Sequence, residues 1–289
     1  MLNLRKIYKT YPDGTRALKD VSLQIGTGIT GLLGPNGSGK SSLMRTIATL
    51  QLPDSGDMLL DGQDVYQDPF LLRRLVGYLP QHFGVYSYIS CYALLEHLAI
   101  LKGLNNKVQR RRQIDQVLDL TDLTGHANRQ PSHFSGGMLQ RFGIAQALLG
   151  EPKILILDEP ASGLDPAERT RLHQLLHEIA QTRVVLLSTH IVEDIEHLSA
   201  HTAILINGEI VAHDHTLALF RSLEGKIWQG PLSGSLPNDI QLLSQCLYYG
   251  ESMARIFGEH CPAADFEAVP PSLQDSYFLY LKKYRGEVV

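Results

Sequence analysis

Gly34-Pro35-Asn36-Gly37-Ser38-Gly39-Lys40-Ser41 constrains the fold more than any other stretch of this 289-residue chain. It carries glycine, four residues, glycine, lysine and a hydroxyl residue, the spacing of a phosphate-binding loop. Before it, Gly28-Ile29-Thr30-Gly31-Leu32-Leu33 reads as a short buried strand; after it, Ser42 to Ala48 has apolar positions at helical intervals. A strand therefore runs through a tight glycine turn into a helix. Glycine tolerates positive φ, so successive backbone N–H groups can turn inward on an anion, and the helix N-terminus adds its partial positive charge. In such a loop Gly34, Pro35, Asn36, Gly37, Ser38, Gly39, Lys40, Ser41 and Ser42 would surround a phosphate chain. Lys40 would reach the outer phosphates and the Ser41 hydroxyl would ligate magnesium. The expectation is a nucleoside triphosphate site.

A chain this long can bury a large core and carry one big domain plus an appendage. Its 44% hydrophobic and 19% charged residues are those of a globular protein. No apolar stretch reaches the length of a membrane span, so any service to a membrane is expected from outside it. Met1 to Ile7 lacks the long apolar core of a signal peptide, which argues for the cytoplasm. Cys91, Cys246 and Cys261 are odd in number and far apart, without zinc or disulfide spacing, and read as ordinary thiols. A formal net charge of −4 gives no electrostatic reason to expect nucleic acid. The densest basic run, Lys107 with Arg110, Arg111 and Arg112, reads as a solvated helix face.

Taken in order, Leu2, Leu4 and Ile7, then Ala17, Val21, Leu23 and Ile25, alternate with polar residues around Pro12-Asp13-Gly14, as in a two-stranded antiparallel entry. Tyr11, just before that turn, could stack on a flat base; Tyr8 is the competing candidate, and packing of either ring on the sheet is an equal reading. Ser55 to Gly62 reads as turn, strand, turn, and Phe70 to Arg74 as a brief helix. Leu75 to Pro80 reads as a strand ending in Gln81, whose amide could bond a metal-bound water or a terminal phosphate. From about Tyr86 to Gln130 the intervals become helical, with Gly103 and Gly125 as expected stops. Ser135-Gly136-Gly137 then opens another helix: Ser135 can cap it, and the glycines leave its N–H groups open to an anion.

Lys153 to Leu157 is an apolar run ending in Asp158 and Glu159, as a central parallel strand would end beside a nucleotide. Asp158 is placed to hold magnesium and Glu159 to orient or deprotonate the attacking water. Asp165 and Glu168 have capping-box spacing before a helix that begins at Pro166. Arg183 to Ser188 is another buried strand, followed by His190, which could donate to the outermost phosphate. Asn207-Gly208 is a strong hairpin turn within Thr202 to Ala212. Beyond Arg221 the periodicity weakens: Gly230 to Pro237 is loop-like, Gly225 to Trp228 and Met253 to Phe257 are short strand candidates, and Pro271 opens an amphipathic helix.

From about Met1 to Arg221 the sequence resembles the ATP-binding subunit of an ABC transporter. Gly34 to Ser41 looks like the Walker A loop, Gln81 the Q-loop, Ser135 to Gly137 the signature, Ile154 to Glu159 the Walker B strand and base, Ser162 to Asp165 the D-loop, and His190 the switch histidine. The resemblance implies an α/β fold: a P-loop NTPase core with a mainly parallel sheet, an antiparallel β subdomain and a helical subdomain inserted at about residues 86–150. The cassette would span residues 1–221, with a small α+β extension at 222–289. It implies a magnesium-dependent ATPase with ATP and Mg2+ as its cofactors. Glu159, His190, Lys40 and Gln81 would be catalytic. Tyr11, residues 34–42, Ser135, Gly136, Gly137 and Asp165 would contact nucleotide, and Ser41, Gln81 and Asp158 the metal. It further implies a head-to-tail homodimer with a second cassette, an integral membrane permease as partner, and a peripheral place on the cytoplasmic face of the membrane; no nucleic acid is expected. Phe134 and Met138 depart from the leucine and glutamine usual in the signature. The ending Pro271 to Tyr277, with Leu79 to Gly84, resembles exporter-type ATPases more than importers. The alternative is a soluble ABC ATPase acting on ribosomes or DNA, but the tandem cassettes or long coiled coil of those proteins are not present in this sequence.

Overall fold

A computed structural model describes residues 1–231, 240–248 and 250–285. The chain enters through β1 (Leu2–Thr10) and β2 (Arg16–Ile25), antiparallel with Leu2 opposite Ile25 and Leu4 opposite Leu23. Alternation turns Leu2, Leu4, Ile7, Val21, Leu23 and Ile25 to one buried face. β3 (Gly28–Leu33) leads through the glycine loop into α1 (Lys40–Ile47). β4 (Ser55–Leu60) and β5 (Gln63–Asp64) then complete a sheet in the order β2-β1-β4-β5. α2 (Pro69–Leu75) runs directly into β6 (Val76–Leu79).

The helical block holds α3 (Cys91–Leu101) and α4 (Lys107–Leu120), and begins later than its apolar spacing suggests. Ser90 sets the start, its Oγ accepting from Ala93 N at 3.2 Å. Gly103 does lie just past α3 in the left-handed region, but Gly125 is not the stop of α4. That reversal falls at Asp122, which adopts φ 54, a left-handed value that most side chains avoid, and Gly125 sits in the following 3-10 turn, Thr124–His126.

α5 (Gly136–Leu148), β7 (Ile154–Asp158), α6 (Pro166–Ala180), β8 (Val184–Ser188), α7 (Val192–Leu198), β9 (His201–Ile206), β10 (Glu209–His215) and α8 (Thr216–Arg221) finish the larger unit. Its main sheet has the order β10-β9-β3-β8-β7-β6, parallel except for β10, which returns from β9 through Asn207-Gly208. The sheet is covered on both faces, which explains its uninterrupted apolar strands. Leu155 and Leu157 of β7 pack with the helices, while Ile154 and Ile156 pack toward the β1–β2 sheet and α1. None of the described helices is long and apolar enough to cross a membrane.

The extension contributes β11 (Ile227–Pro231), β12 (Gln241–Tyr248), β13 (Glu251–Phe257), β14 (Glu267–Ala268) and α9 (Leu273–Arg285), with the sheet order β12-β13-β11-β14. Of the loop-like run expected at residues 230–237, Gly230 and Pro231 end β11, and the remainder lies outside the described residues. α9 opens as its sequence suggests, with Ser272 and Asp275 bonding reciprocally across its first turn. It bridges the two cores: Phe278 and Leu279 pack with Ile227 and Leu243 of the small sheet, and Asp275 accepts from Arg255 of β13. Leu273, Tyr277, Tyr280 and Leu281 pack into the helical core of the larger unit, and Ser276 Oγ donates to Leu219 O at 2.8 Å.

Candidate active site

Four neighbouring strands of the main sheet, β3, β8, β7 and β6, deliver their C-terminal ends to one edge. The glycine loop with Lys40 follows β3, His190 follows β8, Glu159 follows β7 and Gln81 follows β6. Residues distant in sequence therefore converge on a cleft of about 750 Å³ whose walls include Tyr11, Lys40, Ser41, Gln81, Glu159 and His190.

The loop is built for an anion. Gly39 adopts φ 106, and a Cβ there would run into the carbonyl of Ala17, so only glycine lets the chain enter α1 at this point. Lys40 is buried, and its ammonium donates to Gly34 O at 2.7 Å and Pro35 O at 3.1 Å. Burial lowers its pKa, a shift that the nearby carboxylates of Glu159 and Asp158 oppose. Ser38 Oγ is buried with no protein partner, an unmatched hydroxyl suited to a phosphate oxygen. Asn36, Gly37 and Ser42 also line the cleft, whereas Gly34 and Pro35 meet it through the carbonyls that hold Lys40.

Of the two tyrosines, Tyr11 borders the cleft; its hydroxyl lies 3.0 Å from Ser42 Oγ and donates to Gln51 Oε1 at 3.0 Å. Tyr8 is not among the residues that line the cleft. Thr15, Arg16 and Lys19 at the start of β2, and Asn207 of the β9–β10 turn, also line it. The sequence reading passed over them as parts of hairpins; two cations beside a phosphate loop were the available signal.

Glu159 adopts φ 51 immediately after β7, with its N–H donating to Ser188 O at 3.0 Å. A left-handed non-glycine residue costs roughly 1 kcal/mol or more. That turn places the carboxylate Oε2 at 3.1 Å from Gln81 Nε2, which donates to it, and at 3.0 Å from His190 Nδ1. With Nδ1 facing Glu159, Nε2 is the imidazole nitrogen left for a phosphate oxygen. Asp158 is buried beneath, its Oδ1 accepting from Ser188 Oγ at 2.6 Å. No group of three or more His, Cys, Asp or Glu among the described residues could hold a metal by itself. One carboxylate with a hydroxyl beside a phosphate site suits magnesium, which typically takes few protein ligands and completes its shell with phosphate oxygens and water.

Ser135, Gly136, Gly137 and Asp165 do not line this cleft. Ser135 caps α5, its Oγ accepting from Met138 N at 3.3 Å, and Ser135 and Gly136 are exposed. Gly137 is buried under the carboxylate of Glu168, which a Cβ at residue 137 would strike. Asp165 caps α6 by accepting from Glu168 N at 2.9 Å. The reciprocal half of that capping box is replaced: the Glu168 carboxylate reaches Arg141 and Arg171, at 3.8 and 3.5 Å.

Residues 18–162 match the family described as ABC transporter. The chain is 33% identical to the uncharacterised ABC transporter ATP-binding protein YxlF of Bacillus subtilis, over 96% of this chain and 98% of that protein. It is also 33% identical to the methionine import ATP-binding protein MetN of Escherichia coli, over 83% of this chain and 74% of that protein. Among solved structures it is similar to the ATP-binding cassette MJ0796 in a dimeric post-hydrolysis state bound to ADP and Pi, with a TM-score of 0.67 and 29% identity over 74% of this chain and 98% of that one.

Proposed function

Because this chain belongs to the ABC transporter family of ATP-binding proteins, we propose that it powers transport through a separate integral membrane permease, working peripherally on the cytoplasmic face. It is an ATP-hydrolysing cassette. The observation that carries the assignment of its residues is the meeting of Gln81, Glu159 and His190 in the cleft that also holds Lys40 and Ser41.

In this reading Lys40 exchanges two loop carbonyls for oxygens of the outer phosphates, gaining charge-assisted bonds. Tyr11 sides with the base, residues 34–42 surround the phosphates, and Ser41, Asp158 and Gln81 hold Mg2+. When bound, Mg2+ neutralises charge on the phosphate oxygens. Glu159, fixed by its two neighbours, orients the attacking water and takes its proton. His190 Nε2 contacts the outermost phosphate. Requirement for Mg2+, and loss of hydrolysis in Lys40→Ala, tests the site; magnesium-independent turnover would overturn it.

The partner cassette is a second, identical copy. Ser135 and Gly136 lie exposed outside their own cleft, so their helix N-terminus is free for nucleotide held by the other copy, with Asp165 on the same side of the interface. The permease docks near Gln81 to Tyr88, where Tyr86 and Tyr88 are 68% and 91% exposed. Phe83, in the same stretch, is partly buried against the core beside Leu79 and Gly143 and is not offered to a partner in the same way. Crosslinking from Tyr86 to a co-purified membrane subunit tests this docking. Export is the proposed direction, supported by the resemblance of residues 79–84 and 271–277 to exporter ATPases. Substrate release from, rather than uptake into, ATP-loaded vesicles of known orientation tests it, with MetN naming the opposite case.

A further inference from the structure

Gly137 and Arg141 stand one turn apart on the same face of α5, and the carboxylate of Glu168 from α6 lies over both. Arg141 is almost wholly buried. Its Nη1 donates to Asp122 Oδ2 at 2.9 Å, while its Nε has no hydrogen-bond partner. Glu168 Oε2 is 3.8 Å from that Nε, beyond the roughly 3.2 Å reach of a good N–H···O bond. A buried guanidinium N–H thus faces a carboxylate across a gap that a displacement of under about 1 Å would close.

The two ends of this contact have different owners. Glu168 lies in the first turn of α6, whose cap is Asp165, six residues after Glu159. Arg141 lies one turn inside α5, whose cap is Ser135. The contact therefore joins the segment that follows the catalytic carboxylate to the helix whose N-terminus points out of the molecule.

We propose that Arg141 and Glu168 are positioning residues. Their contact sets the orientation of the α5 N-terminus relative to the segment Glu159–Asp165, and so sets how well Ser135 to Gly137 receive the nucleotide held by the partner copy. Closing the Arg141–Glu168 gap favours the dimer; opening it releases the terminus. Neither residue lines the cleft of its own chain, so neither contributes to nucleotide binding by the isolated subunit. The proposal rests on the reading that α5 serves the partner's nucleotide.

The test uses the full chain in a Glu159→Gln background, with the ATP concentration at half-maximal dimer formation read by sedimentation velocity. Ser135→Arg checks the underlying reading: if dimers form unchanged, that reading fails. If Ser135→Arg abolishes them, the proposal is judged on Glu168→Gln, Arg141→Gln and the double variant. The expected result is that each single change raises the half-maximal ATP concentration about tenfold and the double change raises it about tenfold again in total, not a hundredfold, because one contact is lost only once. Fluorescent nucleotide binding to the monomer stays within about twofold of the parent in all three. Additive effects, or equal weakening of monomer binding, would overturn the proposal. Should Arg141→Gln fail to fold, as judged by circular dichroism, Arg141→Lys takes its place in the cycle: it keeps the charge and the bond to Asp122 but lacks Nε, and the same non-additivity decides.

Discussion

The cleft at the strand ends and the N-terminus of α5 are both suited to phosphate, yet they are assembled in opposite ways. In the cleft, Lys40, Gln81, Glu159 and His190 come from four loops after four neighbouring strands, and Glu159 is fixed by two of the others. At α5, Ser135, Gly136 and Gly137 are consecutive, and Gly136 faces open space. Long-range convergence makes a site whose parts brace one another. A short local motif with nothing opposite it makes half of a site. Experiments that strike one region and spare the other show whether the distinction holds.

The largest effect is expected from Glu159→Gln. It removes the proton acceptor while keeping shape, so turnover should fall by about 10²- to 10⁴-fold with nucleotide still bound. Wild-type turnover measured by phosphate release would remove Glu159 from the mechanism. Next, Lys40→Ala should weaken ATP binding to the monomer by about 10- to 100-fold, since charge-assisted bonds to phosphate are lost; calorimetry on the isolated subunit reads this directly.

A smaller and more selective effect is expected from Gly137→Ala. Its methyl would collide with the Glu168 carboxylate, so ATP-driven dimerisation should weaken about tenfold while binding to the monomer does not change. Adding Glu168→Ala should weaken it no further, because displacing the carboxylate and deleting it lose the same contact with Arg141. A further loss would mean that the methyl meets something other than Glu168.

The last effect, on stability and not on nucleotide binding, concerns the far end of the same helix. Lys102 Nζ donates to Ala147 O at 3.2 Å and Leu149 O at 2.8 Å, closing the C-terminus of α5 that its N-terminus leaves open. Burial lowers its pKa from 10.5 to about 8. Because the folded value lies below the unfolded one, the unfolded chain binds more protons between pH 8 and 10.5. Stability from this group is therefore complete above about 10.5 and is lost as pH falls toward 8. Against Lys102→Met, the wild type should gain on the order of 1–3 kcal/mol between pH 7.5 and 10 in urea titrations. A pH-independent difference would place the amine in water.

The sequence made the parallel core legible because its strands are apolar throughout and end in chemically distinctive residues. It placed Gln81, Glu159 and His190 at strand ends but could not show that they touch, since the contact depends on a left-handed Glu159 that nothing local demands. Strand β12 escaped notice for a related reason: the register shifts between Leu242 and Ser244, which breaks the two-residue alternation that marks a strand. The Asp165–Glu168 spacing suggested a closed capping box, and only the fold revealed that Arg141 and Arg171 draw the Glu168 carboxylate away. The helical intervals of Tyr277, Phe278 and Leu281 announced an amphipathic α9 without saying which core each would join: Tyr277 and Leu281 enter the larger one and Phe278 the smaller.

That last choice governs how the chain can be taken apart. With α9 removed, Leu219 and the neighbouring apolar surface of the larger unit would lose their cover, so a fragment ending at Arg221 should bind hydrophobic dyes and precipitate where the full chain stays in solution. The extension is thus not a detachable passenger: any graft that exchanges residues 222–289 for another module must bring its own helix to fill the place of α9.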